Sequence, residues 1–209
     1  MQPANANSKS AIRKAILLVG GVLAALAVLI AWRVCFPAFV MPSASMERTV
    51  LVGDRLFVDR ISTILGRAPR RGDVIVFRYP LNREEVYLKR IAGLPGDRLR
   101  IRDKHLYRNG VEVQEPYVQY ITTFVDPYRD NFPSTPNMGL PQQAQEMLDN
   151  HVVNGELVVP AGKYFVLGDN RDDSADSRYW GFIQRIDVIG RPILIYGSND
   201  PSRVWKPVN

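Results

Sequence analysis

The chain has 209 residues, 46% of them apolar and 23% charged, which excludes a disordered chain and leaves room for one core with an insertion, but not comfortably for two domains. Its 27 basic and 21 acidic residues give a net charge of +6. That charge suits nucleic acid or an anionic membrane surface, and the lack of a recognition helix, zinc-ligand spacing or aromatic RNA-binding motif speaks against nucleic acid. The single cysteine, Cys35, excludes an internal disulfide.

In chain order, the first element is "AILLVGGVLAALAVLIAW", Ala15 to Trp32, 18 residues without a charge. As a helix it would run about 27 Å, close to one hydrocarbon core. Lys9, Arg13 and Lys14 precede it and no acidic residue occurs before Glu47. This positive-inside pattern places the N-terminus in the cytoplasm and the rest across the membrane. A cleaved signal peptide would have a shorter apolar core and a small-x-small site, whereas "VCFPAFVMPS" follows here. The organisation read from this is a cytoplasmic tail (1–14), a retained single-pass anchor (15–34) in the inner (plasma) membrane, and an extracytoplasmic body (35–209). "FPAFVMP", broken by Pro37 and Pro42, fits an interface position or a core strand.

The body reads as β. "DRLFVDRI" (54–61), "DVIVFRY" (73–79), "EVYLKRIA" (85–92) and "DRLRIRD" (97–103) alternate or run apolar between Gly, Pro and Asp. Asn109-Gly110 and Asn154-Gly155 are hairpin signals, and "KYFVLGD" and "VIGRPILIYG" supply further strands. The fold class expected is mainly β, a strongly bent antiparallel core. Residues 115–155 differ. Their first half is turn-rich, and "LPQQAQEMLDN" fits one short helix with Pro141 near its start. So long an irregular stretch reads as an insertion, binding loop or lid.

Three stretches carry chemistry. "FVMPSASMERTVLVGDR" (39–55) holds Ser43 and Ser45 with no histidine near; the chain has only His105 and His151. "YLKRIAGLPGDRLRI" (87–101) sets Lys89 inside an apolar strand, and "LGDNRDDSADSRYWGF" (167–182) is a dense polar loop. Taken singly, each has a bland reading. Ser43 after Pro42 is a turn residue, a strand lysine usually extends its ammonium to water, and the loop is an Asx-rich turn. A calcium loop is set aside because the sixth-position glycine and twelfth-position glutamate are missing.

Together, in this order and spacing, the three stretches resemble the boxes of bacterial type I signal peptidases, and the resemblance extends over the anchor and most of the chain outside 115–155. It implies a β-rich catalytic core with a smaller variable lobe, and a serine–lysine dyad without metal or cofactor. Ser45 matches the nucleophile and Lys89 the general base, a lysine that burial must depress from about 10.4. Ser43 matches the hydroxyl that completes an oxyanion hole with the Ser45 N–H. Ser174 matches the serine that orients the lysine amine. Asp176 and Arg178 match a charged support pair, with Asp169 and Arg90 as a second. Met46 matches a packing position.

The implied activity is removal of signal peptides from secretory preproteins after small residues (A-x-A), by a monomer with anionic lipid and no nucleic acid as further partners. Arg48 stands where the family usually has proline, and Asp173 replaces a frequent asparagine. Two rivals are a processing protease of a conjugation or pilus system on the same fold and an inactive anchored binding protein. Retention of Ser45, Lys89 and Ser174 argues against the second.

Overall fold

The computed structural model describes residues 6–136 and 138–208, with side chains from residue 10 onward. Residues 1–5 of the expected tail and the Lys9 side chain lie outside this. The chain opens with one long helix, α1 (Ala6–Cys35). Within its stretch Ser10–Cys35, an 18-residue window has a mean hydropathy of 2.7 and is unburied by the rest of the protein. By length and composition it suffices to cross a membrane, about 39 Å at 1.5 Å per residue. The Cys35 carbonyl accepts from the Arg60 amide at 3.1 Å, and Trp32 meets Phe57 edge-on at 6.3 Å between centroids.

The body is built from β1 (Ala38–Val40), a 3-10 turn (Ala44–Met46), β2 (Arg55–Asp59), α2 (Ile61–Ile64), β3 (Val74–Tyr79), β4 (Asn82–Gly93), β5 (Arg98–Arg102), β6 (His105–Arg108) and β7 (Val111–Glu112). After a long irregular segment come α3 (Gln142–His151), β8 (Val152–Val153), β9 (Glu156–Val158), β10 (Lys163–Leu167), α4 (Ser177–Trp180), β11 (Ile183–Gln184) and β12 (Val188–Gly197). All named strands pair antiparallel. One seven-stranded sheet has the order β1-β2-β12-β3-β4-β10-β11, and a smaller five-stranded sheet the order β7-β6-β5-β9-β8. The mainly β class and the two unequal parts agree with the sequence expectation.

Why the large sheet bends is visible in β12 and β3. β12 pairs with β2 at one end and β3 at the other, with register shifts at Pro192/Leu194 and Val188/Gly190. Proline lacks a ladder donor and is tolerated at such irregularities. At Gly190 a Cβ would lie 2.4 Å from the Asp59 carbonyl oxygen, so only glycine lets the crossing strands approach. From Val74 to Phe77, β3 is buried on both faces. Val74 and Val76 enter a core with Met46, Leu56 and Ile195, while Ile75 and Phe77 enter another with Ile91, Val166 and Trp180. Its continuous apolar run follows from burial on both sides.

The two hairpin signals are realised. Asn109 and Gly110 have φ of 54° and 80°, and Asn154 and Gly155 have 54° and 73°, as a two-residue type I′ loop requires. A third left-handed pair, Asp103 (47°) and Lys104 (75°), joins β5 to β6 without a glycine to announce it. The helix expected after Pro141 is α3.

Candidate active site

The serine turn is set by packing below it and hydrogen bonds behind it. Met46 is fully buried in the core beneath, so the turn cannot rotate without opening a cavity. The Glu47 amide donates to the Ala44 carbonyl at 2.9 Å and the Val50 amide to Met46 at 2.8 Å. The turn presents Ser45, itself 6% exposed, towards β4.

Lys89 lies in the middle of β4, opposite Ile75 of β3, and is 4% exposed. Its Nζ donates to Ser45 Oγ at 2.5 Å. Burial drives its pKa down from 10.5 to about 8, Asp176 opposing this and Arg178 adding to it. A neutral amine is therefore accessible near neutral pH, and the same contact then runs from the serine hydroxyl to the amine. Ser43 Oγ lies 3.2 Å from Ser45 Oγ, on the same rim.

The third stretch leaves β10 at Gly168. A Cβ there would lie 2.2 Å from Ser174 Oγ and 2.5 Å from the Ser45 carbonyl oxygen, so the polar loop and the serine turn touch where only a glycine fits. Asp176 caps α4, accepting from the Arg178 amide at 3.3 Å and from the Gly168 amide at 3.1 Å. Its carboxylate is gripped by both Arg178 Nε (2.8 Å) and Nη2 (2.7 Å). Burial pushes this carboxyl up, but Arg178 and the hydrogen bonds win and hold it below its ordinary value. Asp169 accepts two hydrogen bonds from Arg90, from Nε at 2.8 Å and Nη2 at 2.7 Å. Both expected support pairs are thus formed.

Ser174 departs from expectation. It is buried, yet its hydroxyl makes no hydrogen bond, so the expected bond to the Lys89 amine is absent here. The hydroxyl packs over Gly168 instead, while Lys89 reaches Ser45. Two residues went unnoticed in the sequence. Asn170 donates its amide to the Ser45 carbonyl (3.1 Å) and its Nδ2 to the Ala44 carbonyl (3.3 Å). Thr49 Oγ1 donates to Asp169 at 2.5 Å. Asn170 is masked by its turn-like neighbours in "GDNRDD"; its nearness to the serines arises only in three dimensions.

Ser45 and Lys89 open onto a cleft of about 370 Å³ with apolar walls, among them Phe39, Leu56, Val76 and Val86. Among the described residues, no group of three or more His, Cys, Asp or Glu side chains converges as a metal site would.

The family model described as "Signal peptidase, peptidase S26" matches residues 13–197. The chain belongs to this family. Signal peptidase I of Buchnera aphidicola (subsp. Acyrthosiphon pisum) is 31% identical over 227 residues, covering 84% of this chain and 72% of its own. That of Aquifex aeolicus is 32% identical, with 77% and 75% covered, and that of Bacillus caldolyticus 36% identical, with 75% and 76% covered. A solved signal peptidase I from Enterococcus faecalis, 36% identical, covers 59% of this chain and 96% of its own with a TM-score of 0.40. The chain is accordingly a serine peptidase, a hydrolase of the signal peptidase I type.

Within this signal peptidase the irregular stretch, expected as an insertion, binding loop or lid, braces the polar loop. Gln119 bridges to Asn170 in parallel register. Asp172 accepts from the Ile121 amide (2.9 Å) and the Thr122 amide (3.0 Å), and pairs with Lys104 (2.8 Å) and Arg129 (2.9 Å). Glu115 pairs with buried Arg171 at 2.7 Å, and Tyr128 Oη donates to the Arg178 carbonyl at 2.5 Å.

Proposed function

We propose that this protein is a membrane-anchored endopeptidase that removes signal peptides by a Ser45–Lys89 dyad, cutting after small residues in an A-x-A pattern. The observation that carries the reading is the 2.5 Å contact between Ser45 Oγ and a buried Lys89 whose pKa is lowered to about 8. Neutral Lys89 takes the Ser45 proton as Oγ attacks the scissile carbonyl. The oxyanion is met by the Ser45 N–H and the Ser43 hydroxyl, two donors at one rim. Collapse breaks the C–N bond, Lys89 returns its proton to the leaving amine, and an acyl-enzyme remains. Lys89 then deprotonates a water that hydrolyses the ester and regenerates Ser45. Ser174, beside this centre, and the Asp169–Arg90 and Asp176–Arg178 pairs act as support.

The apolar walls of the cleft suit uncharged side chains such as alanine, which supports the specificity. α1, with Arg13 and Lys14 before its apolar stretch, supports an anchor with its N-terminus cytoplasmic and residues 35–209 extracytoplasmic. Secretory preproteins are then met at the bilayer surface, where the net positive charge favours anionic lipid; nothing in the mechanism requires a second protomer.

The test is incubation of the full chain in detergent with a preprotein carrying an A-x-A site. Wild type should release the signal peptide, and Ser45→Ala should lose about 10⁴-fold or more in turnover while melting within about 4 °C of wild type. A Ser45→Ala protein that keeps more than about 1% of turnover would remove Ser45 from the mechanism.

A further inference from the structure

We propose that Arg48 is a positioning residue, a clasp that fastens the 118–119 stretch over the serine turn and so holds Ser45 in line with Lys89. This rests on the roles given above to Ser45 and Lys89. Arg48 touches neither of them, and it stands where the resemblance would have placed a proline.

The geometry is a closed circuit of three chain segments. Arg48 Nη1 donates to the Val118 carbonyl at 2.8 Å, and beside it Gln119 Nε2 donates to Glu47 at 3.3 Å. From Gln119 the circuit passes to the polar loop, with the Gln119 amide donating to the Asp169 carbonyl (2.9 Å) and the Arg171 amide to the Gln119 carbonyl (3.1 Å). From that loop it returns to the turn, where Asn170 holds the carbonyls of Ser45 and Ala44. The stretch at 118–119 is therefore an outer rail for the loop that grips Ser45, and the Arg48 guanidinium joins rail and turn directly.

Backbone conformation points the same way. Arg48 has φ of 80°, in the left-handed region that L-residues other than Asn and Asp rarely adopt. Glycine would hold this turn without strain. An exposed arginine held there is explained by what its side chain reaches. The Thr49–Asp169 hydrogen bond ties the same parts in parallel, so loss of the clasp should loosen the centre without dismantling it.

The experiment compares wild type, Arg48→Asn and Arg48→Lys in the full chain. Asparagine tolerates the left-handed backbone but is too short to clasp; lysine keeps one long donor. For Arg48→Asn, kcat should fall about tenfold, as for a small misplacement of reacting groups. KM should stay within about twofold and the pH midpoint of kcat should not move, because Lys89 keeps its surroundings. Amide exchange at Gln119, Asn170 and Arg171 should accelerate. Arg48→Lys should restore kcat to within about threefold of wild type.

An unchanged kcat in Arg48→Asn, or a rise in KM alone, would overturn the proposal; the latter would make Arg48 a substrate contact. Unaltered exchange at those three amides would overturn it as well. If wild type fails to cleave a preprotein, the functional reading fails by itself, and the exchange measurement still decides whether the clasp exists.

Discussion

On one side of Ser45, β3, β4 and β10 satisfy their backbones against each other, and their side chains fill cores on both faces. On the other side, residues 113–136 have little ladder. Their amides are met by side chains: Ile121 and Thr122 by Asp172, Tyr128 and Arg129 by Asp126, and Asp126 by Asp130. Buried backbone groups need partners in either case, but the solutions differ in what they require of the chain. A ladder needs only alternation and apolar bulk, which many sequences provide. A segment satisfied by carboxylates needs particular charges at particular places, some of them fifty residues away. The proposed chemistry sits at the seam, with Lys89 from the regular side and the braced loop from the irregular side.

The largest effect should come from the regular side. Lys89→Arg keeps a cation but cannot deprotonate, since arginine stays charged throughout the accessible pH range. Turnover should fall about 10⁴-fold or more, as for Lys89→Ala, while amide protection in 113–136 stays as in wild type. In wild type, activity should rise with pH through a midpoint near 8, where burial has placed the lysine. Turnover above about 1% in Lys89→Arg would send the serine proton elsewhere.

The same contrast explains what was legible beforehand. The strands around Lys89 could be read because "VIVFRY" and "EVYLKRIA" show burial directly as apolar runs, and in the smaller sheet the Asn-Gly pairs mark the β6–β7 and β8–β9 turns. The Asp103-Lys104 hairpin carried no such mark, because its left-handed pair lacks glycine and is stabilised by tertiary contacts of Lys104 with Asp172 and the Thr122 carbonyl. Ser43, Ser45 and Lys89 stood out through resemblance alone; no local pattern says that a serine at 45 meets a lysine at 89. Asn170 and the brace at 115–132 could not be read, since their roles exist only once the polar loop, the serine turn and that segment have been brought together.

Breaking the irregular side should cost stability more than chemistry. Asp172→Ala removes a carboxylate with 1% side-chain exposure and leaves Lys104 and Arg129, at 10% and 13%, with one acceptor fewer. Loss of one member of a buried charge cluster costs about 3 kcal/mol, or roughly 6–12 °C in melting temperature for a body of this size. Turnover at a temperature below the transition should drop less than about tenfold, because the clasp and the Thr49–Asp169 bond remain. A variant that melts with wild type would show that the brace is held by packing, not by these charges.

The smallest effect, and the sharpest on the regular side, concerns the energy stored at Lys89. Its folded pKa of about 8 lies below the value of 10.5 for an unburied lysine. Below pH 8 the lysine is charged whether the chain is folded or not, and the folded state bears the full cost of burying that charge. Between 8 and 10.5 the unfolded chain binds the extra proton, so stability rises with pH and the cost disappears. The gap corresponds to about 3 kcal/mol. Lys89→Met fills similar volume without a charge and forfeits chiefly the hydrogen bond to Ser45, worth about 1 kcal/mol, beside a distant 5.9 Å approach of Nζ to the Tyr87 ring. It should therefore be inactive yet about 2 kcal/mol more stable than wild type at pH 6, seen as a melting temperature roughly 4–8 °C higher. That advantage should shrink from pH 8 and vanish or reverse above 10.5. A Lys89→Met protein no more stable than wild type at pH 6, or with an advantage independent of pH, would show that the amine is solvated in place rather than held against the cost of its charge.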